Sequence, residues 1–144
     1  MIDRYRFLVV LCGSRGEKEL SQEIMHAIDN TQVYDLTGKT SLTDLVSIIA
    51  KSRLLISNET SAPHFAAAVD TPFICITMGK GFGRFFPYPP EIYEKAHYIY
   101  PPKILQNLHQ LEILKEQYQF DSDLDINEIE VEQVKKLIDK CLGH

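Results

Sequence analysis

The stretch Arg53-Leu54-Leu55-Ile56-Ser57-Asn58-Glu59-Thr60-Ser61-Ala62-Pro63-His64-Phe65-Ala66-Ala67-Ala68-Val69-Asp70-Thr71-Pro72-Phe73-Ile74-Cys75-Ile76-Thr77 decides the fold. Arg53 to Ser57 is a short apolar run of the kind that makes a buried strand, and Phe73 to Thr77 repeats it. Between them, Phe65 to Val69 reads as a small-residue helix whose alanines permit close packing on a sheet, and Thr71-Pro72 breaks it. A strand, a crossover of helical length and a second strand make a parallel pair.

The same alternation extends toward the N-terminus. Phe7-Leu-Val-Val-Leu-Cys12 is a continuous apolar run closed by Gly13-Ser-Arg-Gly16, as expected of a first strand buried on both faces. Glu17 to Asp29 then places Leu20, Ile24, Ala27 and Ile28 on one helical stripe. Val33 to Leu36 makes the second strand, and Ser41-Leu-Thr-Asp44 matches a capping box that opens a helix with Leu42, Leu45, Val46, Ile49 and Ala50 inward. The stretch at Arg53 is thus the third strand and the one at Phe73 the fourth.

Toward the C-terminus the texture changes. Met78 to Pro102 holds Gly79, Gly81, Gly83, five prolines and many aromatics, and reads as a long functional loop with Tyr98 to Tyr100 as a short closing strand. Ile104 to Tyr118 and Val131 to Leu142 have helical spacing, joined by the acidic linker Asp121 to Asp125. The chain is therefore expected to be α/β, a Rossmann-like parallel sheet of about four to five strands with flanking helices. It reads as a single domain over residues 1–144, with an α/β core over 1–102 and C-terminal helices over 103–144.

Composition narrows the function. The 144 residues carry 15 Lys plus Arg against 20 Asp plus Glu, a net charge of −5, which argues against nucleic acid as a partner. The acidity is concentrated in the last 24 residues, where seven acids meet three bases. Three cysteines at wide spacing, Cys12, Cys75 and Cys141, fit neither a metal nor a redox motif; Cys12 and Cys75 read as small core residues in a reducing cytosol. No apolar run approaches the roughly 20 residues of a membrane span. His26, His64, His97, His109 and His144 are scattered, so no metal constellation is expected.

In an open parallel sheet, ligands bind beyond the carboxyl ends of the strands. The richest such segment is Asn58 to His64, which puts a carboxylate, two hydroxyls and an imidazole on a strand-to-helix turn. Thr60 or Ser61 is a natural N-cap, and Glu59, Thr60, Ser61 and His64 become candidates for an anion or a ribose. The plainer alternative is that the hydroxyls only cap the helix and His64 only packs. Met78-Gly-Lys-Gly-Phe-Gly-Arg84 lets backbone approach a ligand while Lys80 and Arg84 meet a phosphate. Thr37-Gly-Lys-Thr40 lacks the first glycine of a P-loop, since Val33 stands there.

Taken together, Asp35-Leu-Thr-Gly-Lys-Thr-Ser-Leu42, Leu54-Leu-Ile-Ser-Asn-Glu-Thr-Ser-Ala-Pro-His-Phe-Ala-Ala-Ala68 and Thr71-Pro72 resemble glycosyltransferase family 9, the family of the lipopolysaccharide heptosyltransferases. The likeness covers roughly residues 7–102. It implies the C-terminal, donor-binding half of a two-domain B-type glycosyltransferase fold, active in the cytoplasm or at the inner-membrane periphery. The segment matching Glu59, Thr60, Ser61 and His64 would meet the ribose and diphosphate of a nucleotide sugar. Glu59 stands where the family commonly has Asp, and Ser61 where it has Gly. Glu17 matches a position that offers a carboxylate to the nucleoside, and Arg84 with Phe85-Phe-Pro-Tyr88 resembles a variant loop of some members.

The resemblance further implies an inverting transfer from a nucleotide-diphosphate sugar, of ADP-sugar type, to a glycolipid or other glycan acceptor, with no cofactor or metal required. No catalytic base is assigned in this chain. In the family the base belongs to an N-terminal acceptor domain, which a further domain or partner chain would supply. Family members also open the C-terminal domain with one more strand, so the first and third strands here should pair directly or be bridged by another segment. A different reading of the same fold is a non-catalytic nucleotide-binding or subunit-interaction domain.

Overall fold

The computed structural model describes residues 7–28 and 32–143. Five strands alternate with helices as the sequence predicts: β1 (Val9–Leu11), α1 (Lys18–Ala27), β2 (Val33–Asp35), α2 (Leu42–Lys51), β3 (Leu55–Asn58), α3 (Ala62–Ala68), β4 (Phe73–Ile76) and β5 (Ala96–Ile99). Three further helices follow, α4 (Pro102–Leu105), α5 (Leu111–Tyr118) and α6 (Val131–Leu142). All strand pairings are parallel, and they form two ladders, β1–β2 and β3–β4–β5. The chain divides into two compact units, one ending at Ser47 and one starting at Ile48.

In the first unit, Val9 faces Val33 and Leu11 faces Asp35. A short 3-10 turn at Arg15–Glu17 precedes α1, so the helix starts one residue later than its spacing suggests. Asp29 and His144 lie outside the described residues. The strand expected to be buried on both faces is only half-buried, with Leu8 62% exposed. Cys12 is exposed, not a core residue, because it stands beyond the last paired residue, Leu11. Leu20 is likewise 57% exposed, and the side chain buried from α1 is Ser21, whose hydroxyl donates to the Lys18 carbonyl and to Asp35. The capping box at α2 forms: Ser41 N–H donates to Asp44 Oδ2 at 3.0 Å and Asp44 N–H to Ser41 Oγ at 3.2 Å. Leu42, placed inward by its spacing, sits at the helix start and is exposed.

The second unit holds the main core. β4 lies between β3 and β5, with Phe73, Ile74 and Cys75 fully buried. Phe73 collects rings from the irregular segment that follows and from β5: Tyr93 stacks on it at 5.8 Å between centroids, and Phe86, Tyr88 and the β5 residue Tyr98 meet it edge-on. A second cluster joins Phe82, Tyr100, Ile104, Leu114 and Tyr118. The helix expected over Ile104 to Tyr118 is two helices, separated where Gln110 N–H turns back to the Asn107 carbonyl at 2.8 Å. Burying Phe73 completely means that its loss leaves a cavity no neighbour can fill without moving several rings. Phe73→Ala is expected to cost about 3–5 kcal/mol of stability in urea unfolding. A loss below about 1 kcal/mol would show that this ring is not central.

Candidate functional site

The turn after β3 is built around Glu59. Its carboxylate is half-buried and accepts the hydroxyl proton of Thr77, the residue following β4. The same Thr77 oxygen accepts the Gly79 N–H at 2.9 Å, and the side chain is buried. Burial pushes the Glu59 carboxyl above its usual range, while Thr77 and the nearby Lys80 charge pull it back. Burial, with the Glu59 charge as a lesser cause, pushes the Cys75 thiol up to about 12, so this cysteine is a protonated core residue.

Thr60 and Ser61 share the role expected of one cap. Thr60 Oγ1 accepts from Ala62 N–H and lies 3.3 Å from Ser57 Oγ, whereas the Ser61 side chain makes no cap bond. Ser61 has φ −72°, an ordinary right-handed value, so a side chain fits where the resembling family has glycine. His64 is half-buried in the first turn of α3, its ring stacked on Phe86 at 4.7 Å and its Nδ1 bonded to the Tyr88 hydroxyl. Tyr88 is itself tied down, its N–H donating to the Tyr98 hydroxyl at 3.0 Å. When Tyr88 donates to Nδ1, the neutral ring carries its proton on Nε2 and offers it to an acceptor.

Over this turn runs the glycine loop after β4. Gly79, Gly81 and Gly83 all have positive φ, and a Cβ on Gly79 would lie 2.2 Å from Ile104 Cδ1. A Cβ on Gly81 would meet Phe85 at 2.7 Å and Glu59 Oε1 at 3.7 Å, so backbone passes directly by the carboxylate. Lys80 Nζ is 3.2 Å from Asp121 Oδ1, and the Arg84 guanidinium lies 5.2 Å from the ring centres of both Phe85 and Phe120. Glu59, Thr60, Ser61, His64, Lys80 and Arg84 therefore belong to one unit, and Glu59 and His64 both touch the segment that carries Lys80 and Arg84.

Glu17 belongs to the first unit. Its carboxylate accepts both N–H and Oγ of Ser14 at 2.7 Å, which holds its pKa low and closes the turn before α1. Of the supporting residues, Phe86 and Tyr88 lie in the Phe85 to Tyr88 stretch quoted for the resemblance but carried no assigned role, and Thr77 and Asp121 were not marked by the motifs. Only the position of Thr77 at the carboxyl end of a predicted strand could have pointed to one of them. Among the described residues, no three His, Cys, Asp or Glu side chains group as metal ligands. No helix there is long and apolar enough to cross a membrane.

Comparison with known proteins bears on the whole arrangement. The family profile "Glycosyltransferase family 9 (heptosyltransferase)" matches residues 2–91, which include the Asn58 to His64 turn and the glycine loop. Lipopolysaccharide heptosyltransferase 2 of Salmonella typhimurium is 33% identical over 73 residues, 49% of this chain and 21% of that protein. Lipooligosaccharide heptosyltransferase 2 of Haemophilus influenzae is 31% identical over 97 residues, 65% of this chain and 27% of its own length. The chain thus spans about a quarter of the curated relatives it matches. A glycosyl transferase family 9 structure from Veillonella parvula superposes with a TM-score of 0.73 at 21% identity, covering 96% of this chain and 37% of that one. E. coli ADP-heptose lps heptosyltransferase II gives a TM-score of 0.50 at 26% identity, over 75% of this chain and 37% of that one.

The raised pKa of Glu59 sets a pH dependence. Below the ordinary carboxyl value both folded and unfolded chains hold the proton; above the folded value, the folded chain carries a half-buried charge. The contribution of Glu59 to stability is therefore full at low pH and lost as pH rises through its folded pKa. Relative to the natural chain, Glu59→Gln is expected to gain stability between about pH 4 and about pH 7 in paired urea titrations. A difference that stays constant, or moves the other way, would contradict the burial argument.

Proposed function

The chain belongs to glycosyltransferase family 9, and on that premise we propose that it forms the donor-binding half of a sugar transferase, taking a nucleotide-diphosphate sugar of ADP-sugar type. The observation that carries this reading is the Asn58 to His64 turn inside the matched region, with Glu59 fixed by Thr77 and His64 fixed by Phe86 and Tyr88. A pre-fixed carboxylate suits ribose hydroxyls, which donate to it. A pre-fixed imidazole N–H, two hydroxyls and two cations suit a diphosphate. The ADP preference draws on the ADP-heptose named for the E. coli structure that this chain resembles. The acceptor is a lipopolysaccharide or other surface glycan, as in the heptosyltransferases that it matches.

In this reading an acceptor hydroxyl attacks the anomeric carbon from the face opposite the diphosphate and inverts the centre. The bond from that carbon to the diphosphate oxygen breaks, and negative charge accumulates on the leaving phosphate. Thr60, Ser61, His64 Nε2, Lys80 and Arg84 meet that charge where it grows, which lowers the barrier more than uniform binding would. In this reading they hold charge and do not move the proton; the base comes from the acceptor-binding part of the enzyme, on another domain or chain.

Titration calorimetry of the folded chain with ADP, UDP and GDP tests the donor assignment. ADP is expected to bind best. His64→Ala should weaken ADP by about tenfold and leave adenosine unchanged, because the lost contact is a charge-assisted hydrogen bond to phosphate. No binding of any diphosphate, or equal losses for ADP and adenosine, would overturn the role given to His64.

A further inference from the structure

Residues 118–122 cross the glycine loop as a strap fixed at both ends. Tyr118 is buried among Phe82, Tyr100, Ile104 and Leu114, and its carbonyl accepts the Gly81 N–H at 2.9 Å. At the other end Ser122 Oγ donates to the Met78 carbonyl at 2.6 Å. Between these anchors the side chains are open to solvent, Phe120 being 69% exposed and Asp121 83%. Yet each reaches a cation of the glycine loop, Asp121 while its carboxylate also takes the Ser122 N–H. Asp121 Oδ1 sits on Lys80 Nζ, and the Phe120 ring lies against the Arg84 guanidinium.

Two adjacent residues, one anion and one flat ring, thus occupy both cations of the loop. Phosphate and base are the parts of a nucleoside diphosphate that would compete for the same two cations, by ion pairing and by stacking. Resting on the reading that Lys80 and Arg84 serve the donor, we propose that Phe120 and Asp121 stand in the donor's place and are displaced when a nucleoside diphosphate binds. The strap therefore lowers donor affinity and excludes weaker anions from the two cations. Displacement is easy, because exposed ion pairs and exposed cation–π contacts are weak. It also leaves the Tyr118 and Ser122 anchors in place, since only two exposed side chains need to turn.

Titration of the full chain with ADP and with inorganic pyrophosphate, for the natural sequence, Asp121→Asn, Phe120→Ala and Asp123→Asn, separates the possibilities. Asp121→Asn should tighten both ligands by about two- to fivefold, the size of an exposed ion pair. Phe120→Ala should tighten ADP by a similar factor. Asp123→Asn removes the same charge two residues along and should give less than half of the Asp121→Asn gain. Amide exchange at Gly81 should stay unchanged in all three variants, reporting intact anchors.

Equal effects of Asp121→Asn and Asp123→Asn would reduce the strap to general electrostatics and overturn the proposal. So would weaker binding by Asp121→Asn, which would make Asp121 a support for Lys80, or weaker ADP binding by Phe120→Ala with pyrophosphate unaffected, which would make Phe120 a platform for the base. Binding by the natural chain that no variant changes removes the strap and leaves the donor reading standing. Binding by the variants alone supports the strap at full strength. No binding by any of the four proteins removes both.

Discussion

The hydroxyl of Thr77 ties the site together. It donates to Glu59 on the turn after β3 and accepts from Gly79 at the start of the loop after β4. One buried oxygen therefore sets the distance between a strand-to-helix turn and a glycine loop that are far apart in sequence. Without that donor the Glu59 carboxylate would be a half-buried charge supported chiefly by the exposed Lys80, an expensive arrangement. Thr77 can do this because β4 is the central strand of its ladder, and the complete burial of Phe73, Ile74 and Cys75 leaves its exit residue no freedom.

Rigidity and exposure are divided accordingly. The floor of the site is aromatic: Phe86 beneath His64, Tyr88 on its Nδ1, and Phe73 beneath the rings that hold Tyr88. The rim is charged and open, with Lys80, Arg84, Phe120 and Asp121 in contacts that cost little to break. A donor site of the kind proposed benefits from this division. Fixed groups provide geometry, and weakly held groups respond to charge.

Much of this was legible in the residues. The strands and helices around Phe7, Val33, Arg53 and Phe73 follow from apolar runs and their breakers, and the Ser41 capping box forms as its spacing predicts. The family likeness was carried by the joint spacing of three short motifs. Burial was less legible. Leu8 and Cys12 read as core residues because they lie in an apolar run, and Leu20 because it falls on a helical stripe, but burial needs a covering layer, which spacing along the chain does not encode. The break between α4 and α5 was hidden by continuous helical spacing on both sides. Within the site the polar candidates could be picked out by residue type, whereas Thr77, Tyr88 and Asp121 act through three-dimensional neighbours that no local spacing encodes.

The central claim is that the turn after β3 and the glycine loop grip one ligand together. Backbone amide NMR of the uniformly 15N-labelled chain, titrated with ADP, tests it most directly. The largest shift changes should fall together on Glu59 to His64 and on Gly79 to Arg84, with one common dissociation constant. Shifts confined to one of the two segments, or clustered away from both, would contradict it.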